Sequence, residues 1–276
     1  MFEEPERSSK IGQSSIVFKD SASILTEAKG FMTGYDFTLN PYGGCTFGCT
    51  YCYAAFFSRS EEKMANWGYW VEVKQNAVTL LKKKRGKLFN KVIYMSSVTD
   101  PYQPIEKDVQ LTHEILKELV LQKVKLVIQT RSHLVLNDLA ILKEFESVQV
   151  NMTITTDSER IRKSFEPMCP SNKMRLEAIR KLTEAGIPTC ITMTPLLPLE
   201  NIDLFISDLL ASGVKSFIVQ PFHKDKGKFV RGTREEAFKL LKEFNWSENR
   251  YLETVNRFKK ELPNCGEGQS GFAPPF

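Results

Sequence analysis

From about residue 36 onward, short β-branched runs alternate with stretches whose apolar residues recur at helical spacing. Residues 36–39 read as a first strand and residues 91–96 (Lys-Val-Ile-Tyr-Met-Ser) as a second. The segment 110–122 carries Leu111, Ile115, Leu116 and Leu119 on one face, the pattern of an amphipathic helix. Residues 124–129 make a third strand, followed by a helix marked by Leu136, Leu139, Ala140 and Leu142, and residues 148–155 make a fourth. The next helix is expected to begin at the cap candidate Ser171 and stop at Gly186. A fifth strand, 188–193, ends in Thr194-Pro195. Asn201 can cap a helix that closes at Gly213, residues 214–219 form a sixth strand, and a last helical region spans 233–262.

Strands that alternate with helices predict a parallel sheet wrapped in helices. Six such units give an α/β fold, a partial (β/α)6 barrel of the TIM type over residues 36–262. The first 35 residues and the Gly/Pro-rich tail 263–276 are expected to be short irregular arms. At 276 residues and 42% hydrophobic content, the chain can bury one large core. No apolar run approaches the length of a bilayer span, so membrane insertion is not expected. The polar opening Met1-Phe2-Glu3-Glu4-Pro5-Glu6-Arg7 carries no apolar signal region, which points to the reducing cytoplasm. The net charge of +5, Lys+Arg 38 against Asp+Glu 33, permits an anionic substrate without requiring one.

The chemistry concentrates in Asn40-Pro41-Tyr42-Gly43-Gly44-Cys45-Thr46-Phe47-Gly48-Cys49-Thr50-Tyr51-Cys52-Tyr53, directly after the first strand. In a parallel barrel, residues just past a strand lie on the face where chemistry is done. Three thiolates on one short loop can hold three irons of a [4Fe–4S] cube and leave the fourth iron free for a small molecule. A zinc site wants a fourth Cys or His at a matching spacing. Here the nearest histidine is His113, while Cys169, Cys190 and Cys265 stand far away and singly.

Cys-x3-Cys-x2-Cys with an aromatic before the last cysteine resembles the signature of radical S-adenosylmethionine (SAM) enzymes. The flanks narrow the resemblance: Asn40-Pro41-Tyr42, Tyr51-Cys52-Tyr53-Ala54, Thr99-Asp100-Pro101-Tyr102-Gln103-Pro104-Ile105-Glu106, Thr130-Arg131, and Phe165-Glu166-Pro167 with Arg175. Together they are similar to the spore photoproduct lyase-like branch of that superfamily, over roughly residues 34–222. The resemblance implies a cluster on Cys45, Cys49 and Cys52, with SAM chelated at the open iron and reductively cleaved to a 5′-deoxyadenosyl radical. It also implies an external electron donor of the flavodoxin or ferredoxin type. For SAM itself it implies the backbone of Tyr51 at adenine, Thr99 and Asp100 at the amino group, Arg131 at the methionine carboxylate, and Thr153 or Thr155 at the ribose or methionine. Each also has an ordinary structural use: Thr-Asp-Pro makes turns, and an arginine at a barrel rim pairs with a carboxylate.

One position departs from the family. The lyases place a cysteine, the hydrogen-atom donor to the product radical, where this chain has Ser97. A serine O–H bond is too strong for that task. Cys169 and Cys265 are then the remaining donor candidates, against the default use of a lone cysteine as a small buried hydrophobe. A basic stretch with Phe222, Lys224, Lys226, Lys228, Phe229 and Arg231 follows the sixth strand and suits phosphates and a stacked base. The run 82–87 connects a helix to the second strand, on the opposite face, and reads as a solvated turn. The expected substrate is therefore a nucleobase, in a single strand or a nucleotide. A peptide or small metabolite, or a cluster-bearing nucleic-acid-binding protein without SAM chemistry, stays open.

Overall fold

The computed structural model describes residues 8–58, 60–223 and 232–276. Six strands, β1 (Phe37–Leu39), β2 (Val92–Met95), β3 (Lys125–Thr130), β4 (Val148–Thr153), β5 (Thr189–Met193) and β6 (Phe217–Val219), pair in chain order and all parallel. Apolar residues meet across every seam: Leu39 with Met95, Ile93 with Leu126, Ile128 with Val150, and Ile191 with both Met152 and Phe217. These side chains are all buried, as expected where a parallel sheet is covered on both faces.

Helix boundaries follow the local chemistry. Ser171 Oγ accepts from Met174 N at 3.2 Å to open the helix Asn172–Glu184, and Gly186 (φ +83°) follows its end. Asn201 Oδ1 accepts from Leu204 N at 3.0 Å and opens Ile202–Ala211. The expected helix after β3 is instead a 3-10 segment, His133–Asp138, with a single α turn, Leu139–Leu142. A helix over Glu159–Phe165 intervenes after β4, and the final helical region divides into Glu235–Glu243 and Glu248–Glu261 around Asn245 at φ +52°.

The two arms are not irregular. Leu25–Glu27 pairs antiparallel with β1, and Cys265–Glu267 pairs parallel with β6, so each arm supplies one edge of an eight-stranded sheet. No pairing joins those edges among the described residues, so the barrel is open there. The arms meet across the opening. Gln269 Nε2 donates to the carbonyls of Gly30 (3.1 Å) and Phe31 (3.2 Å), Tyr35 Oη donates to the Phe272 carbonyl at 3.0 Å, and the Phe31 and Phe272 rings pack edge-on at 5.6 Å.

A second, four-stranded sheet also escaped the sequence reading. It orders Lys10–Ile11, Ser14–Lys19, Trp70–Lys74 and Tyr42–Gly43. Its last strand runs straight into the cysteine loop and anchors the loop's entry.

Candidate active site

The cysteine loop takes its shape from two glycines. Gly44 has φ +72°, and a Cβ there would lie 2.6 Å from the Trp70 ring and carbonyl. Gly48 has φ +60° and packs on the Cα of Gly68. A side chain at either would strain the backbone and collide with the four-stranded sheet or its approach. Hydrogen bonds then tie the loop to the one after β2 and to the end of the helix after β4. Thr99 Oγ1 donates to Gly44 O at 2.6 Å, Gln103 Oε1 accepts from Thr46 N at 2.9 Å, and Thr50 N donates to Phe165 O at 2.9 Å. The outcome is a rigid arch whose three thiols face one cavity.

That cavity encloses about 660 Å³, and Cys45, Cys49 and Cys52 all line it. Tyr51, Ser97, Thr99, Asp100, Arg131 and Thr153 share its wall with the triad, so the structure brings these sequence-predicted residues together. Thr155, Cys169 and Cys265 are not among the lining residues. Thr155 is fully buried and donates to Glu166 Oε1 at 2.9 Å. Cys265 is half-buried in the edge strand beside β6. Cys169 lies behind Cys49, the two sulfurs 3.7 Å apart. Neither hydrogen-donor candidate lines the cavity: strand pairing places Cys265 beside β6, and the turn after Glu166 places Cys169 behind Cys49.

Asp100 serves the scaffold. Its carboxylate accepts from Tyr102 N (2.9 Å), Thr130 Oγ1 (2.7 Å) and Arg131 N (2.8 Å), welding the loop after β2 to the end of β3. Burial raises its pKa despite those donors. Arg131 turns its guanidinium to the cysteine loop, with Nη1 2.7 Å from Cys49 Sγ and 3.1 Å from Tyr51 Oη.

Beneath Tyr51 lies a buried ion pair between Glu166 and Arg175, a partnership that their spacing in the sequence does not reveal. Glu166 and Arg175 are both fully buried, Arg175 Nη2 standing 2.5 Å from Glu166 Oε2. Tyr51 and Thr155 donate to the other carboxylate oxygen, and Arg131 Nη1 stands 4.0 Å from it. Burial alone would push the Glu166 pKa up, but Arg175 and Arg131 outweigh it and hold the carboxyl at about 2. The Cys49 thiol is held below its usual range by its contact with Cys169 and by Arg131, against the opposing pull of burial.

Farther from the cysteines the wall is aromatic, with Phe31, Tyr94 and Phe272 contributed by the arms and β2. Gln129 supplies polarity inside β3. Its Nε2 donates to Thr153 Oγ1 (2.7 Å) and Thr192 Oγ1 (2.8 Å), and its Oε1 accepts from Tyr94 Oη (2.9 Å). Gln129 was absent from the sequence-derived site. The signal was a lone amide in the run Leu126-Val127-Ile128-Gln129. Phe222 is buried, packed edge-on against Tyr51 at 6.0 Å, and is therefore part of the wall rather than an open stacking platform. Lys224, Lys226, Lys228, Phe229 and Arg231 lie outside the described residues. Arg85, in the run 82–87, is exposed and pairs with the buried Glu118 at 2.6 Å.

Whether these residues fit an iron–sulfur cluster can be asked of the donors. Among the described residues no three Cys, His, Asp or Glu side chains converge on one metal-ion position. A cube does not ask for that, since each thiolate takes its own iron. Three cysteines spread along one cavity wall fit a cluster better than a single ion. Two residues of the lining, Ser96 and Trp67, are more than nine-tenths buried, and Ser96 Oγ and Trp67 Nε1 have no hydrogen-bond partner among the described residues.

An open parallel barrel with a three-thiol arch past its first strand defines a class of enzymes that work around a bound cluster at the strand ends. Residues 39–209 match the radical SAM superfamily, and the chain belongs to it. Membership implies a [4Fe–4S] cluster and SAM. An uncharacterized protein of Methanocaldococcus jannaschii is 36% identical over 242 residues, covering 83% of this chain and 88% of that one. Among solved structures, a double mutant of spore photoproduct lyase with bound AdoMet and dinucleoside spore photoproduct aligns with TM-score 0.59 at 15% identity, covering 92% of this chain and 82% of that one. Streptococcus suis SuiB bound to its precursor peptide SuiA aligns with TM-score 0.54 at 13% identity, over 83% of this chain and 48% of that one. At such identities the likeness is one of fold. No helix among the described residues is long and apolar enough to cross a membrane.

Proposed function

We propose that this chain cleaves SAM reductively at a [4Fe–4S] cluster held by Cys45, Cys49 and Cys52, and turns the resulting radical on a nucleobase- or nucleotide-type substrate. The observation that carries the reading is the single cavity of about 660 Å³ shared by the three thiols, Arg131 and the polar groups at the strand ends. When bound, the cluster and SAM supply one-electron cleavage of a sulfonium C–S bond, yielding methionine and a 5′-deoxyadenosyl radical. The electron comes from a donor of the flavodoxin or ferredoxin class.

The protein's own residues bind and orient. Arg131, fixed through its backbone N–H to Asp100, offers a cation to the methionine carboxylate. Ser97, Thr99 and Thr153 line the same wall, Thr99 and Thr153 with their hydroxyls hydrogen-bonded to Gly44 and Gln129. Tyr51 is clamped between Glu166 and Arg131, which sets the backbone between Cys49 and Cys52. Glu166 carries its charge without a proton to give at neutral pH, so it acts as a structural anion. The aromatic far wall of Phe31, Tyr94 and Phe272 suits a flat ring, with the Gln129 amide close by.

A peptide substrate is the second reading, favoured by the SuiB complex with its precursor peptide. Substrate-stimulated formation of 5′-deoxyadenosine separates the two. Ring-deuterated nucleosides, nucleotides and short single strands should raise turnover and pass deuterium into 5′-deoxyadenosine. Label transfer only from peptides would replace the nucleobase reading. Nucleic-acid binding, if that is the substrate form, should weaken linearly in log–log salt plots.

A further inference from the structure

Cys49 and Cys169 lie 120 positions apart in sequence, yet their sulfurs are 3.7 Å apart. A disulfide needs about 2.05 Å, so the two sulfurs have to approach by less than about 2 Å to bond. Cys169 is held there by backbone contacts. Its N–H donates to Glu166 O at 3.2 Å, and the buried Arg162 Nη1 donates to the carbonyls of Glu166 (3.0 Å) and Cys169 (2.9 Å). Cys49 lines the cavity whereas Cys169 stands behind it. A small oxidant entering the cavity therefore meets Cys49 first, with a second thiol waiting within reach.

We propose that Cys169 is the resolving cysteine for Cys49 in the cluster-free chain. Hydrogen peroxide takes the first step: its O–O bond breaks, Cys49 sulfur is oxidised by two electrons to the sulfenic acid, and one water is released. The Cys169 thiol then attacks that sulfur. The S–S bond forms, the S–O bond breaks, and the hydroxyl leaves with the thiol proton as a second water. A dithiol reductant returns both cysteines to thiols. Without Cys169 the sulfenic acid is free to advance to sulfinic acid, which thiols do not reverse. The disulfide rests on geometry alone; its benefit, a loop that can still be loaded, rests on Cys49 being a cluster ligand.

The test uses the full chain, stripped of cluster and exposed to peroxide. Non-reducing digestion with fragment mass spectrometry should find Cys49 joined to Cys169 in the wild type, and sulfinic acid at Cys49 in Cys169→Ser. After dithiothreitol, iron and sulfide, the wild type should regain the cluster absorbance of an unoxidised sample, and Cys169→Ser less than half of it. Circular dichroism checks the fold, and Cys169→Ala replaces the serine variant if that one misfolds. Links confined to Cys45, Cys49 and Cys52, or equal sulfinic acid with and without Cys169, would overturn the proposal. A Cys49–Cys169 link together with cluster loading that survives Cys49→Ala would support the disulfide and overturn the ligand reading of Cys49.

Discussion

Arg131 and Glu166 are the two residues on which the site's electrostatics turn. If Arg131 holds the methionine carboxylate, Arg131→Ala in the reconstituted protein should weaken SAM binding by about 1.5–3 kcal/mol, the usual worth of a charged hydrogen bond. Calorimetry or equilibrium dialysis reads this directly, and unchanged affinity would remove Arg131 from that role. Lysine should restore the charge but only part of the loss, because it lacks the planar fork. Glu166→Gln leaves the buried Arg175 guanidinium without its counter-ion, a change that costs about 3–5 kcal/mol in comparable pairs. A much lower thermal midpoint is expected, measured by calorimetry. The pH dependence has a definite sign. The folded Glu166 pKa of about 2 lies below the ordinary carboxyl value, so its stabilisation is complete above the ordinary value and fades as pH falls toward about 2. Denaturant midpoints should drop between pH 5 and pH 3, and drop less in the glutamine variant.

At the scale of elements, the sequence was legible wherever local chemistry decides. Side-chain caps at Ser171 and Asn201 were readable because a cap needs only its own first turn. Ser171→Ala should therefore cost about 1 kcal/mol, seen as a small shift of the urea midpoint with unchanged slope. The six barrel strands were readable because strands buried on both faces are apolar runs. The N-terminal strand Ser14–Lys19 announced itself more faintly. It alternates buried Ile16 with Val17, which is 51% exposed, over too few residues to outweigh the polar composition around it. Cys265–Glu267 had no signal of its own, since a three-residue strand containing glycine exists only because β6 offers it an edge. The Glu166–Arg175 pair was visible as two residues without a role. Its meaning depends on burial and on a partner from another element, neither of which spacing reveals.

On the scale of the whole molecule, the open barrel and its two arms line one cavity. The parallel strands deliver their carboxyl ends to a common face, and the arch of Cys45, Cys49 and Cys52 occupies the first of those ends. The arms, bonded to each other through Gln269 and Tyr35, close the side the sheet leaves open and contribute the far wall of the cavity. On the proposed function, cofactor and substrate would share this one cavity. The most direct test of this account is anaerobic reconstitution with iron and sulfide, followed by reductant and SAM, with 5′-deoxyadenosine measured by liquid chromatography and mass spectrometry. 5′-Deoxyadenosine should form in the wild type and be lost, together with the cluster, when Cys45, Cys49 or Cys52 becomes alanine. An intact cluster that yields no 5′-deoxyadenosine with any reductant or candidate substrate, or cleavage that survives loss of a triad cysteine, would contradict it.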